Sequence, residues 1–449
     1  MRRRFSFKND NEHSLIITAN SSSTVLFQIN AFGDCEYNLN NTGWKIYSQT
    51  PFSINAGETI RFRGQLSYSS TTIVKENGIG RFIITGDVDL SGSPMYMLSS
   101  NKLAYNIFCK LFYNCTGIKN VSADFLPATT LAEYCYGQMF YGCTSLTTAP
   151  QLPATTLADD CYKNMFYNCT SLTTAPELPA TTLTTSCYQS MFYNCTSLTT
   201  APELPATTLA YCCYRKMFYG CTSLTTAPEL PAKNLKTYCY QRMFNGCTSL
   251  ITAPKLPATT LASRCYYSMF ERCSKLTTAP ELPATTLASS CYHSMFSGTN
   301  VLPDCSNINF SSSTVVASGG LIGLFAGTKV TDDDLRSILP INSNGKYYLP
   351  CTTLAESCYY SMFYDCTSLT TAPELPATTL ANQCYYSMFW GCSKLNHIKA
   401  MFTTTPSSSY TYSWVSGVAS SGTFVKNKNA TWNVTGTDGI PSGWTVQTA

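Results

Sequence analysis

The pattern Cys-Tyr-x-x-Met-Phe occurs nine times in this chain of 449 residues. It begins at Cys135, Cys161, Cys187, Cys213, Cys239, Cys265, Cys291, Cys358 and Cys384. Neighbouring copies are 26 residues apart, except across the one gap from Cys291 to Cys358. A fixed period of roughly 20–50 residues is typical of solenoids, in which stacked units bury a continuous core that no unit buries alone. The period therefore predicts a repeat architecture rather than one compact core.

The first half of the unit has the spacing of an amphipathic helix. In the copy at 126–151, the residues Leu131, Cys135, Met139 and Cys143 follow one another at four-residue intervals. Apolar residues at such intervals form one buried stripe on a helix. We therefore predict a short helix in the first half of each copy.

The second half of the unit has the composition of a strand followed by an extended turn. In the same copy it reads TSLTTAPQLPATT, which is rich in Thr and contains two Pro. Thr favours strands and Pro interrupts them, so a short strand is predicted over 146–149. The predicted fold class is an α/β solenoid of 26-residue repeats with a short strand and a short helix in each turn.

Segments outside the regular copies divide the chain into parts. Alternating apolar residues between Asn, Gly and Ser turns predict a β-sandwich-like N-terminal domain, suited to attachment or oligomerisation. The predicted parts are this β-rich domain at 1–95, solenoid at 96–298, a degenerate repeat with an insertion at 299–348, further solenoid at 349–399 and a β-rich C-terminal cap at 400–449. Inside the insertion, TDDDLRSIL predicts a short helix whose acids lie favourably at its N-terminus.

Most of the 23 Cys recur at fixed positions of the unit. Two Cys eight residues apart on one helix are separated by about 12 Å, beyond the reach of a disulfide. The spacing is not that of a zinc site, and the chain has only three His, so no metal or cofactor is expected. We predict a ladder of buried free thiols, which persists most easily after folding in a reducing cytoplasm.

The N-terminal segment and the overall composition bear on location and partners. MRRRFSFKNDNEHSLIITANSSS lacks the apolar core of a secretory signal, so standard export is not expected. No run of roughly 18 apolar residues predicts a membrane span. A net charge of +4 without a dense basic stripe argues against nucleic-acid binding.

The core string MFYGCTSL at 139–146, with the LP that opens the next turn, resembles the BspA-like, or Treponema-type, leucine-rich repeat. That family usually has Ala-Phe where Met-Phe stands here, and its unit is slightly shorter. The resemblance covers about two-thirds of the chain and implies a leucine-rich-repeat binding scaffold. Family members are typically bacterial surface proteins that bind host or bacterial partners, so the resemblance favours adhesion.

The β-rich start, the repeats and the ending GIPSGWTVQ together resemble proteins encoded by phages and prophages of Bacteroidales. This resemblance implies a tail-fibre or receptor-binding protein located in the virion. Its partners would be a bacterial surface receptor, glycan or protein, and other tail subunits through the N-terminal domain, with a homo-oligomer possible. The alternatives are a bacterial cell-surface adhesin and a purely structural or decoration protein of the virion.

Differences between the copies concentrate in the two residues before each CY, the two after it and the two after MF. These positions fall on the exposed side of the predicted helix. The candidate ligand-binding aromatic residues there are Tyr141, Tyr167, Tyr193, Tyr219 and Trp390. Rigid aromatic rings suit the recognition of sugars or proteins, although drift at exposed positions would give the same variation.

A local basic cluster lies across the middle copies. Its members are Arg215, Lys216, Lys233, Lys236, Arg242, Arg264 and Arg272. It suits an anionic polysaccharide, or it is an ordinary solvated face. Rows of Thr on the strand side offer a second possible glycan surface. No catalytic motif is present, and the repeated Cys are expected to be buried and inert, so the chain is predicted not to be an enzyme.

Overall fold

The computed structural model describes residues 13–67, 78–100, 102–284, 287–299, 301 and 319–449. They fall into two compact units, Met1–Pro205 and Ala206–Ala449. The part boundaries predicted above stay predictions.

The N-terminal part of the first unit is made of β-sheet, as the sequence predicts. Its strands are β1 (Leu15–Ala19), β2 (Ser23–Ile29), β3 (Cys35–Leu39), β4 (Lys45–Ile46), β5 (Phe52–Ile54), β6 (Thr59–Gly64), β7 (Gly80–Thr85), β8 (Val88–Gly92) and β9 (Ile118–Val121). One sheet has the order β4-β3-β6-β1-β8-β9 and the other β5-β2-β7. All pairs are antiparallel except β8 with β9. A 3₁₀ helix, Pro94–Met97, follows β8.

The cores of the β-sheet region and of the repeats are continuous within this unit. The rings of Phe27 and Phe62 pack on Phe82, with centroids 4.4 and 5.2 Å away. The other side of Phe82 stacks on Phe112 of the first, degenerate repeat at 5.1 Å. The β-sheet region therefore closes the N-terminal end of the repeats.

The prediction of one helix per repeat is wrong. Within the described residues, α-helix is confined to α1 (Asp332–Ile338) and α2 (Ser408–Thr411). Residues 132–143 instead form successive turns, and we call these residues and their counterparts in the other copies the turn stack. Alternate N–H groups, such as those of Met139 and Tyr141, donate to the carbonyl three residues earlier. The N–H groups between them donate to the next copy, as Phe140 does to Met165.

A left-handed residue at every fourth position produces this turn geometry. In one copy Tyr134, Gln138 and Gly142 have φ of 58°, 55° and 71°. Each reversal of φ interrupts the helical path, so the chain repeats every four residues rather than every 3.6. Residues four apart then stay on one face indefinitely, which explains the spacing of Leu131, Cys135, Met139 and Cys143 without a helix.

The predicted repeat strands are reduced to single-residue bridges. Thr174 pairs with Thr200 in the first unit, and Thr252 pairs with both Thr226 and Thr278 in the second. A Pro two residues after each of these Thr lacks the N–H that would extend the ladder.

The second unit contains the insertion and the C-terminal segment. The predicted helix at 331–339 is α1, and Thr331 and Asp334 form a capping box at its start. The strands β10 (His397–Ala400), β11 (Thr423–Lys426) and β12 (Thr445–Thr448) pair in parallel, in that order. The β character predicted for the C-terminal cap is thus present.

The C-terminal tail, predicted only as a β-rich cap, also continues the turn stack. The N–H groups of Tyr385, Ser387 and Phe389 donate to the carbonyls of Tyr410, Tyr412 and Trp414. Trp414 therefore takes the place that Met has in the regular copies, and Val415 takes that of Phe. This copy is not recognisable in the sequence, because it lacks the Cys and the Met-Phe of the other copies.

Candidate binding surface

Identical side chains of successive copies stack into columns inside the turn stack. In the first unit, Phe112, Phe140, Phe166 and Phe192 lie parallel with centroids 5.5–5.7 Å apart. In the second unit, Phe218, Phe244 and Phe270 repeat the arrangement at 5.7–5.8 Å. These parallel, fully buried rings fix the register of the copies, and with it the position of every exposed side chain.

The prediction of buried free thiols is confirmed for the 22 Cys of the described residues, whereas Cys305 lies outside them. Along the turn stack, the second Cys of a copy donates its S–H to the Phe carbonyl of the preceding copy. Cys169 does so to Phe140 and Cys247 to Phe218, at 3.1 and 3.0 Å. Burial raises the pKa of the Cys161 thiol to about 12. Thiols held protonated in this way are poor nucleophiles and serve packing.

The candidate residues Tyr141, Tyr167 and Tyr193 lie together in a second, outer column. With Tyr113 they stack face to face, with centroids 4.7, 4.5 and 4.3 Å apart. All four are half-buried, so their edges and hydroxyl groups reach the surface. The first unit thus presents a continuous aromatic strip of the kind predicted for the variable face.

In the second unit the same outer position changes from copy to copy. It holds Tyr219, then Asn245 and Glu271, whose side chains form a 2.7 Å hydrogen bond. Further on, Tyr364 stacks on Trp390 with centroids 4.5 Å apart, and 38% of Trp390 is exposed. Tyr219 and Trp390 therefore share a face but do not form one strip.

Two Tyr rings, those of Tyr238 and Tyr267, lie beside three Arg of the basic cluster, Arg215, Arg242 and Arg264. The guanidinium groups of Arg215 and Arg264 lie 5.8 and 5.4 Å from the ring of Tyr238. Arg264 also donates to the Tyr238 hydroxyl, and Arg215 donates to Gln241 at 2.7 Å. Burial, with Arg215 and Arg242 nearby, lowers the pKa of Lys216. The cluster is thus partly a structural cation–π arrangement.

The other three members of the basic cluster, Lys233, Lys236 and Arg272, are exposed, and Arg272 has φ of 63°. Within the described residues, no ion pair joins any of these cations to a carboxylate.

Aromatic residues that the sequence did not single out form a further column, at the first position after CY in four copies of the second unit. Tyr267 stacks on His293 at 4.3 Å, and Tyr360, Tyr386 and Tyr412 stack at 4.6 and 4.8 Å. Burial, with help from Arg242 and Arg264, lowers the pKa of His293 to about 4. The available signal was the recurrence of an aromatic residue at this one position of the unit.

A groove of about 510 Å³ interrupts this column in the second unit. The degenerate copy lies at its floor, where it has Ile322, Gly323 and Ala326. His293 lines one side, and Tyr360 lines the other. The remaining lining residues are Ser294, Ser357, Ser361, Tyr364 and Gln383.

The described part of the chain has neither a metal-ligand cluster nor a membrane-spanning helix. It contains no cluster of three His, Cys, Asp or Glu side chains placed to hold a metal ion. None of its helices has the length and apolar character needed to cross a bilayer.

Comparison with known proteins supports the interpretation of the repeats. No curated protein matches the chain. A solved structure described as the "Crystal structure of TLR13-ssRNA13 complex" is similar over 73% of this chain, which spans 46% of the length of that one. Its sequence identity is 12% and its TM-score is 0.16, too low to relate the two folds. The family model described as "BspA type Leucine rich repeat region" matches residues 98–212 and 213–316, in six copies. The chain therefore contains a BspA-type leucine-rich repeat region.

Proposed function

We propose that this protein is a non-enzymatic attachment protein, a phage tail-fibre or receptor-binding protein that recognises a glycan or protein of the bacterial surface. Leucine-rich repeats generally serve in binding and adhesion. The observation that carries the proposal is the aromatic strip of Tyr113, Tyr141, Tyr167 and Tyr193. It is half-exposed, held by a rigid buried core, and located at one of the positions that vary between copies.

Contact energy at such a surface comes from rigid aromatic side chains that lose little entropy on binding. The Tyr rings of the strip are already ordered by their neighbours before a partner arrives. The basic cluster of the second unit would add attraction for anionic polysaccharides.

Binding of the labelled full-length chain to a panel of Bacteroidales isolates tests the proposal. A Tyr141→Ala, Tyr167→Ala double variant is expected to lose at least about tenfold in affinity, because two central contacts are removed. The matched control is Glu177→Ala, Glu203→Ala, which alters two exposed residues of the same unit that belong to neither candidate surface. The proposal is wrong if no isolate is bound, or if the Tyr variant and the control bind equally well.

The location in a virion has its own test. Peptides of this chain are expected in purified phage particles by mass spectrometry. Recovery from bacterial envelopes alone would favour the alternative of a cell-surface adhesin, which the BspA-type repeat region itself supports. Particles that contain the chain but attach normally without it would indicate a structural or decoration protein.

A further inference from the structure

The groove in the second unit lies where a ring is missing from the column of Tyr267, His293, Tyr360 and Tyr386. The copy that contains Ile322 is in register with both neighbours. Ser294 donates to the Ile322 carbonyl at 2.7 Å, and Gly323 donates to that of Tyr360 at 2.9 Å. Phe325 and Phe363 keep the core spacing at 5.6 Å. The groove thus arises from short side chains and not from a break in the turn stack.

The two walls of the groove are stacked aromatic rings. His293 is supported by Tyr267 and Tyr360 by Tyr386, with centroids 4.3 and 4.6 Å apart. His293 and Tyr360 are two copies apart, and the intervening position holds Ile322, which is shorter than a ring. The space beyond Ile322 is therefore about one ring thick.

The rim of the groove is polar and carries no charge. Ser294, Ser361 and Gln383 line it with hydroxyl and amide groups, and no carboxylate, Lys or Arg is among the lining residues. Because its pKa is about 4, His293 is neutral near pH 7. The groove therefore matches a ligand with an apolar face and several uncharged hydroxyl groups.

We propose that this groove binds a single neutral hexopyranose residue of a glycan. One C–H face of the sugar ring stacks on Tyr360, its other face lies toward His293, and equatorial hydroxyls bond to the rim. This inference rests on the proposed function and assigns to it a ligand class and a place.

The experiment titrates the full-length chain with methyl glucoside, galactoside, mannoside and N-acetylglucosaminide, followed by saturation-transfer difference NMR. At least one glycoside is expected to bind with a Kd of about 1–10 mM, as suits one small ring. Ile322→Tyr fills the groove with a Tyr side chain, which the following two copies have at this position as Tyr360 and Tyr386. This variant is expected to weaken glycoside binding at least about tenfold.

The matched control is Ile251→Tyr, the same exchange at an exposed position outside the groove, which leaves the affinity unchanged. Tyr360→Ala is a second variant, expected to abolish stacking and binding without filling the groove. The inference is overturned if no glycoside binds at about 50 mM, or if Ile322→Tyr binds as wild type does. It is also overturned if Pro-rich or aromatic peptides bind in the groove and glycosides do not. Intact binding to bacteria alongside such a result leaves the proposed function standing.

Discussion

At the scale of single residues, the hydroxyl groups of two buried Tyr differ in their hydrogen bonding. Within the described residues the Tyr240 hydroxyl is buried without a hydrogen-bond partner, whereas that of Tyr347 donates to the Thr371 carbonyl at 2.7 Å. An unpaired buried hydroxyl costs about 1–3 kcal/mol, and a made hydrogen bond contributes about 1 kcal/mol. We expect Tyr240→Phe to keep or raise the urea midpoint of unfolding, and Tyr347→Phe to lower the stability by about 1 kcal/mol.

The two Tyr→Phe variants are each other's control, because both remove one oxygen from a buried ring. A loss of stability in Tyr240→Phe as large as in Tyr347→Phe would show that the Tyr240 hydroxyl is paired, for instance with internal water. The sequence does not reveal this difference, because Tyr347 lies in the insertion and its acceptor, the Thr371 carbonyl, belongs to the copy that follows.

At the scale of the repeating element, stability depends on left-handed residues. Gly246 has φ of 75°, and a Cβ there would meet nothing closer than 3.7 Å, so only its backbone conformation resists substitution. Arg272 occupies the same position one copy later, with φ of 63°. Since this conformation costs a non-Gly residue about 1 kcal/mol, we expect Gly246→Ala to destabilise by that amount and Arg272→Gly to stabilise by up to as much.

Urea midpoints measure both effects, and Ser297→Ala, at an ordinary turn position beside Gly298, is the control. A higher midpoint for Gly246→Ala than for wild type would contradict the turn geometry and favour a helix, in which Ala is more stable than Gly by about 1 kcal/mol. The sequence already contained this signal. An α-helical stripe drifts around the axis, whereas the apolar residues here recur at four-residue intervals over 131–143, and Gly, Asn or Asp commonly follows the aromatic residue after Met-Phe. Because four-residue spacing resembles helical periodicity, the prediction of a helix was wrong for the secondary structure but correct for the buried face.

At the scale of the whole molecule, both ends of the repeats are closed by different means. In the first unit, Ile79 and Phe82 donate backbone N–H groups to the Ile107 and Leu111 carbonyls of the first repeat. In the second unit, the Asp438 carboxylate accepts the N–H of Ser413 in the last turn at 2.7 Å. Half of the N–H groups of a turn need a neighbouring copy, so an open end would leave them unpaired. The sequence predicts terminal parts of β character. It does not predict which of their residues bond to the first and last repeats, because those residues are distant in the chain and meet only in the folded protein.

The buried thiols make stability sensitive to alkaline pH. Burial raises the pKa of thiols in both units, from 9.0 to about 12 for Cys161 and Cys273. Above pH 9 the unfolded chain therefore releases protons that the folded chain retains, and each such thiol lowers the free energy of unfolding by about 1.4 kcal/mol per pH unit. The stability that these thiols contribute is fully retained below pH 9, and it is lost as the pH rises toward the pKa of the thiols in the folded chain. We expect the urea midpoint to be level near neutral pH and to fall steeply above pH 9.

A variant with fewer ladder thiols separates this effect from general alkaline damage. Cys143→Ala, Cys169→Ala removes two thiols whose pKa is raised by burial. Its stability at neutral pH is lower because each substitution leaves a small cavity. Above pH 9 its free energy of unfolding should nevertheless decline less steeply than that of wild type, by about 2.7 kcal/mol per pH unit for the two thiols together. If the free energy of unfolding declines equally in wild type and variant, other groups, such as the buried Tyr hydroxyls, cause the loss. If it does not decline in either, the thiols are already accessible to hydroxide in the folded chain.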